Sequence, residues 1–285
     1  MTILADLRAS QIGAGPWSGY LLGPWSETSW WAPDNNPVPA RAPRRCTLVQ
    51  DPLGQRGQVI RSELLAGDGP AITSLPDSHR SELGHTAVLL SHPNTYWISW
   101  SSLLLSPWVP DTDCPTTIWQ LHDTLDAGDA GRRPVLEMEV SGDSVVLING
   151  FTHADGNEAV NTPSHPQPYR QLIHMPLAGM LGAWQDWVLR ITMSRTDGAG
   201  QITLWRNRRR IFTDAVAGPR NCGTDVLGSY VLTGVYCPVN WPIAGVASRV
   251  AYSTGMRIGD AAETFASMAG ASELESVTPS RLALS

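Results

Sequence analysis

The sequence predicts an all-β protein, a two-sheet jelly roll followed by one short C-terminal helix. From about Cys46 onward, short runs of alternating apolar and polar residues are separated by turn residues, which is the pattern of half-buried strands. Compact hairpin signals recur along the same stretch. At 285 residues the chain is long enough to bury a substantial core, as one large β domain or two small ones. Such strands stack as two sheets, and one concave sheet is the natural candidate for a groove.

Residues 1–45 read as a tryptophan- and proline-rich N-terminal arm. They hold Gly15-Pro16-Trp17-Ser18, again Gly23-Pro24-Trp25-Ser26, then Trp30, Trp31 and a proline-rich run to Pro43. Two copies of four residues do not make a repeat architecture. The arm is suited to packing its tryptophans on the domain or on a partner, a second copy of the chain included. The jelly roll itself spans 46–260. Segments 136–140 and 144–148 flank Ser141-Gly142-Asp143, and segments 188–193 and 201–205 flank Thr196-Asp197-Gly198-Ala199-Gly200. Asn207-Arg208 marks a two-residue turn ahead of Ile211 and Phe212. Residues 149–168, rich in Gly, Asn, His and Pro, read as a long loop, and His153 and His165 within it lack metal-ligand spacing. Asp260 with Glu263 three residues on reads as a capping box and Gly270 as a stop, so 261–285 is a short helix and tail.

With 20 basic against 26 acidic residues the net charge is −6, which argues against nucleic acid as the partner. An anionic polymer can still bind such a chain where arginines are concentrated. Arg206, Arg208, Arg209 and Arg210 form one concentration, read first as a solvated turn and second as a contact for a polyanion or partner. The four cysteines, Cys46, Cys114, Cys222 and Cys237, make no zinc signature. Buried free thiols are the first reading, and a Cys222–Cys237 bridge in an oxidising compartment the alternative. Residues 1–15 lack the pattern of a secretory signal, and no apolar run is long enough to span a membrane. These features fit a protein released by lysis, virion-associated or extracellular, such as a phage tail or surface component that touches a host glycan.

The chemistry concentrates in two segments. Trp119-Gln120-Leu121-His122 and Tyr230-Val231-Leu232-Thr233-Gly234-Val235-Tyr236 each read as a strand with polar groups on one face. Gln120 and His122 share a face, as do Tyr230, Leu232, Gly234 and Tyr236. An amide, an imidazole and phenols gathered on one sheet suit recognition, and cleavage, of an acidic sugar polymer. β-Elimination of a uronate removes the proton beside the carboxylate, so the site must neutralise that carboxylate, offer a base and protonate the leaving oxygen. Gln120 with Arg61 or Arg80 can hold the carboxylate. His122 is the natural base, and Tyr236 the acid. Arg61 with Glu63 and Arg80 with Glu82 also stand at same-face spacing, so simple ion pairing within the sheet competes with substrate binding.

In order along the chain stand Arg61-Ser62-Glu63-Leu64 with Gly67-Asp68, Arg80-Ser81-Glu82-Leu83, and the Gln120/His122 segment. Gly182-Ala183-Trp184-Gln185-Asp186-Trp187 and Gly200-Gln201-Ile202-Thr203-Leu204-Trp205 follow. The tyrosine strand, Arg249-Val250-Ala251-Tyr252 and Met256-Arg257-Ile258-Gly259 close the series. This ordered set resembles the heparin lyase and glucuronan lyase type of polysaccharide lyase, more distantly the alginate lyases. The resemblance implies a concanavalin A-like jelly roll, an acidic polysaccharide or cell-surface glycan as ligand, and catalytic places for Gln120, His122 and Tyr236. It places Arg61, Arg80 and Tyr230 against substrate. In that family the tyrosine strand usually carries a lysine four residues before its last tyrosine. Here that position is Leu232, and all 20 basic residues of the chain are arginines. A glycan-binding protein without full chemistry is therefore the first reading, and an active lyase, with His122 as base and Tyr236 as acid, the alternative. Calcium accompanies some relatives, but no compact Asp/Glu loop here forms a dedicated site, and no cofactor is implied. Alternation together with the resemblance puts Trp119, Trp184, Trp187 and Trp205 in the core, while Trp97 and Trp100 differ in parity and face opposite ways.

Overall fold

A computed structural model describes residues 2–7, 46–66, 79–124, 133–151, 167–214, 218–223 and 228–269. Most of the arm, Gly67-Asp68, the loop histidines His153 and His165, and the tail from Gly270 lie outside these residues. The described strands, in chain order, begin with β1 (Ile3–Leu7), β2 (Cys46–Gln50), β3 (Gln58–Leu65), β4 (His79–Leu90) and β5 (Thr95–Leu104). Then come β6 (Thr116–Asp123), β7 (Leu136–Ser141), β8 (Ser144–Gly150), β9 (Tyr169–Pro176) and β10 (Gln185–Thr192). β11 (Gln201–Arg206), β12 (Arg209–Thr213), β13 (Ser229–Cys237) and β14 (Ser248–Gly259) precede a single helix, α1 (Phe265–Ala269). None of the described helices is long and apolar enough to cross a membrane.

The strands make the two sheets of a jelly roll. The larger, eight-stranded sheet runs β12-β11-β10-β5-β14-β3-β2, with β1 added on β14; the six-stranded sheet runs β4-β13-β6-β7-β8-β9. The pairing of Ile3–Leu7 with β14 ties the start of the chain, read from sequence as part of the arm, into the larger sheet. The predicted hairpins fall where the turn chemistry put them. Gly142 (φ 55°) turns β7 into β8, and Asn207 (φ 48°) with Arg208 (φ 66°) turns β11 into β12 through the two positive-φ residues that match strand twist.

Alternation explains the core. In β6, Ile118, Trp119 and Leu121 pack inward with Val231 and Val235 of β13 and Leu136, Met138 and Val140 of β7. Trp100 of β5 stacks on Trp119 at 4.2 Å and 8°, joining the sheets, and Trp187 flanks Trp100 at 6.1 Å. Trp97 faces the other way, as its parity requires, into a separate cluster with Val188 and Met268. Trp205 is half-buried there, stacked on Trp97 at 5.5 Å, so it covers the outward face of the larger sheet and does not join the central core. Trp184 likewise sits in a satellite cluster with Val59 and Leu103.

The helix starts later than the capping box predicted. Asp260 accepts the Ala262 amide in a turn (2.9 Å), whereas Thr264 and Ser267 exchange the capping bonds: Ser267 N–H to Thr264 Oγ1 at 3.3 Å and Thr264 N–H to Ser267 Oγ at 3.0 Å. A hydroxyl pair three residues apart thus does the work expected of Asp260 and Glu263. All four cysteines are free and buried, so Cys222 and Cys237 are not bridged. Cys237 instead contacts the Thr116 hydroxyl at 3.3 Å and the thiol of Cys114.

Gly234 sets the spacing between β13 and β4. Its φ is +149°, and a Cβ there would lie 2.2 Å from the Ser81 carbonyl oxygen and 2.6 Å from the Glu82 Cα. We expect Gly234→Ala to lower the unfolding free energy by about 2 kcal/mol or more, read by chemical denaturation, because backbone and not a flexible side chain must yield.

Candidate functional site

The two outward sheet faces differ in kind. That of the larger sheet carries an apolar patch around Trp97 and Trp205, covered in part by α1 through Phe265 and Met268, beside ion-paired residues such as Arg61 and Glu63. That of the six-stranded sheet carries a polar array on four neighbouring strands: Arg80 and Glu82 on β4, Tyr230, Leu232 and Tyr236 on β13, Gln120 and His122 on β6, Glu137 and Glu139 on β7. Register aligns them in rows, with His122 beside Tyr230, Gln120 between Leu232 and Glu137, and Arg80 beside Tyr236. An irregularity between Thr117 and Trp119 lets Ile118 and Trp119 both enter the core, while Thr117 turns outward to reach Glu137 at 3.4 Å.

Each side chain is held. His122 Nδ1 lies 2.8 Å from the Asp123 carbonyl oxygen; a carbonyl only accepts, so Nδ1 carries a proton, and Nε2 is the nitrogen that accepts when the ring is neutral. The ring stacks on Tyr230 at 5.7 Å. Gln120 donates through Nε2 to Glu82 Oε1 at 2.5 Å, a reach across β13 that the missing side chain of Gly234 permits. Arg80 lies over the Tyr236 ring at 4.2 Å and 3.8 Å from Glu82. Gln120 Oε1, Glu82 Oε2 and Arg80 Nε are buried with no hydrogen-bond partner among the described residues, a concentration of unmet polar capacity typical of a functional site.

Burial shapes the protonation states. It pushes the Glu82 carboxyl up, against the opposing pull of Arg80 and Gln120. It pushes the Tyr230 phenol up to about 12, so Tyr230 is a donor at neutral pH. Glu137 and Glu139 share the single guanidinium of Arg133, hydrogen-bonded to Glu137 and 3.8 Å from Glu139. Burial, then the like charge of Glu137, raises Glu139 to about 7.

Of the residues singled out from sequence, Gln120, His122, Tyr230, Tyr236 and Arg80 come together on this face. Arg61 does not. It lies on β3 in the other sheet and forms a two-pronged bond with Glu63, 2.7 Å on each arm. The two Arg-Ser-Glu-Leu copies stand back to back: Ser62 and Ser81 both contact the Cys46 thiol, at 3.5 and 3.4 Å, and their Arg–Glu pairs point to opposite outsides. Arg61 therefore serves as the same-face ion pair that competed with substrate binding in the sequence. Glu137, Glu139 and Arg133 were missed, although Leu136-Glu137-Met138-Glu139-Val140 states the alternation openly. A cavity of about 200 Å³ lined by Trp108, Arg249 and Tyr252 shares no residue with the array. Among the described residues no three His, Cys, Asp or Glu side chains converge to hold a metal ion.

A family profile described as polysaccharide lyase matches residues 22–257. Among solved structures, an endo-β-1,4-glucuronan lyase from the fungus Trichoderma reesei superposes with a TM-score of 0.58 at 15% identity, covering 78% of this chain and 88% of that one. A family 7 alginate lyase gives 0.48 at 14% (75% and 81% covered), and a PL-14 alginate lyase from Aplysia kurodai gives 0.47 at 8% (76% and 87%). At these identities the glucuronan lyase likeness establishes the fold. No curated protein matches the chain in sequence.

Glu139 makes stability pH-dependent. Its folded pKa of about 7 lies above the ordinary 4.5, so between those values the folded state keeps a proton that the unfolded chain has released, and stability falls as pH rises. Glu139→Gln should flatten this decline, by up to about 3 kcal/mol across the window, in denaturation curves taken near pH 5 and pH 8.

Proposed function

Because the chain belongs to the polysaccharide lyase family, we propose that it cleaves a uronate-containing polysaccharide by β-elimination on the outward face of the six-stranded sheet. His122 Nε2 takes the proton on C5 of the uronate. The electron pair left behind is delocalised into the carboxylate, which takes hydrogen bonds from Arg80 and from the Gln120 amide N–H that Glu82 does not use. As the C4–O4 bond breaks and the C4=C5 double bond forms, the Tyr236 hydroxyl gives its proton to O4. Tyr230, protonated and stacked on His122, orients the ring and offers a hydroxyl to the sugar.

The observation that carries this reading is the anchoring of His122. The Nδ1–H bond to the Asp123 carbonyl leaves the ring's basic nitrogen on the strand face that holds Gln120, with Tyr236 on the neighbouring strand. The polymer of the glucuronan lyase, a β-1,4-linked glucuronate, is the first substrate to test.

Leu232 favours a second reading, glycan recognition without turnover. It stands beside Gln120 in the ladder and is almost fully buried, so the place where the family usually has a lysine carries no charge. On this reading the face binds a polyuronate, and the proton transfers run too slowly to matter.

Ultraviolet absorbance of the conjugated, unsaturated uronate separates the two readings without labels. Incubation with glucuronan, alginate and heparin should give a rise with at least one polymer, reduced about 10²-fold or more by His122→Ala and by Tyr236→Phe. A flat trace on every polymer, with binding retained, would establish the second reading. Leu232→Lys should then restore the rise.

A further inference from the structure

We propose that the β11–β12 hairpin is a second binding site for an anionic polysaccharide chain, separate from the face of the six-stranded sheet. Arg206, Arg208, Arg209 and Arg210 crowd around a two-residue turn; Arg209 and Arg210 are exposed and Arg206 is half-buried. Among the other described arginines, several are matched with acids: Arg56 with Asp186, Arg61 with Glu63, Arg80 with Glu82, Arg170 with Asp214, Arg220 with Asp197. Arg190, Arg249 and Arg257 sit singly and donate to neutral oxygens of Gln201, Thr116 and Ser267. Arg206, Arg209 and Arg210 have no carboxylate within reach among the described residues. In a chain with more acids than bases, three such arginines gathered at one turn are a distinct feature.

The hairpin geometry sharpens the point. Arg206 and Arg209 stand directly opposite each other across the ladder, an arrangement in which like charges destabilise the hairpin. Asp186, the acid closest in the hydrogen-bond pattern, binds the turn through its backbone: Asn207 N–H to its carbonyl at 2.7 Å, and its own N–H to Asn207 Oδ1 at 2.8 Å. Its carboxylate is taken by Arg56 and by Ser101, at 2.5 and 2.6 Å. Arg206 and Arg209 are thus held on a rigid turn, their repulsion unrelieved by any carboxylate among the described residues. β12 is the edge of its sheet among the described strands. A flexible chain with a carboxylate on each sugar can set several anions against these guanidiniums in two-pronged contacts.

This inference takes from the proposed function only the class of polymer, and it holds whether or not the sheet face turns substrate over. The test is retention of the whole chain on immobilised alginate across a salt gradient, with three proteins compared. The triple variant Arg206→Ser/Arg209→Ser/Arg210→Ser should bind about tenfold more weakly and lose most of its salt sensitivity. The corresponding triple lysine variant should recover most of the retention, which shows that charge and not folding is at issue. Gln120→Ala, on the sheet face, should keep the salt-sensitive component. Unchanged retention of the serine variant would overturn the proposal. So would stronger, arginine-dependent retention on double-stranded DNA than on alginate at equal salt, which would assign the hairpin to nucleic acid.

Discussion

The stack of Trp100 on Trp119 is the contact on which the rest of the molecule depends. Trp119 belongs to the six-stranded sheet, Trp100 to the larger one, and Trp187 lies beside Trp100 in register. Such aromatic contacts add about 0.5–1.5 kcal/mol each beyond simple burial. The indole N–H groups of Trp100 and Trp119 are buried without acceptors among the described residues, while Trp187 donates to Ser102 at 2.9 Å. Gln120 is the next residue after Trp119. Seating the indole inward fixes the direction of the amide outward, so sheet packing and site geometry follow from one alternation.

Most of that was legible in the sequence. The periodicity of β6, β7 and β13, the turn at Asn207-Arg208 and the opposite parities of Trp97 and Trp100 all follow from local rules. What was hidden required tertiary knowledge. Two Arg-Ser-Glu-Leu segments look equivalent as strings, yet one lands in each sheet, and only the copy on β4 lies beside the tyrosine strand. The sharing of Arg133 between Glu137 and Glu139 depends on a residue outside the strand that carries the acids. The cap at Thr264 displaced the one at Asp260 because a Thr–Ser pair sits where the helix packs on Trp205 and Trp97, and sequence spacing alone does not locate that packing.

The site also has an unusual charge balance. Glu82, Glu137 and Glu139 face two guanidiniums, Arg80 and Arg133, and no cation replaces the family's lysine at Leu232. Burial eases the excess by favouring protonated carboxyls, most clearly at Glu139 and Glu82. The face is polar, with both donors and acceptors left unmet at Arg80, Gln120 and Glu82, and it carries little net positive charge. On the proposed reading a separate basic hairpin complements such a face, one surface supplying attraction and the other geometry.

A crystal structure of the His122→Ala chain with a uronate oligosaccharide tests the central claim most directly. We expect a sugar lying across β4, β13 and β6, with one carboxylate in hydrogen-bonding distance of Gln120 and Arg80 and a glycosidic oxygen near Tyr236. An oligosaccharide seated on the larger sheet beside Arg61, or in the cavity beside Trp108 and Arg249 with the polar array empty, would contradict it.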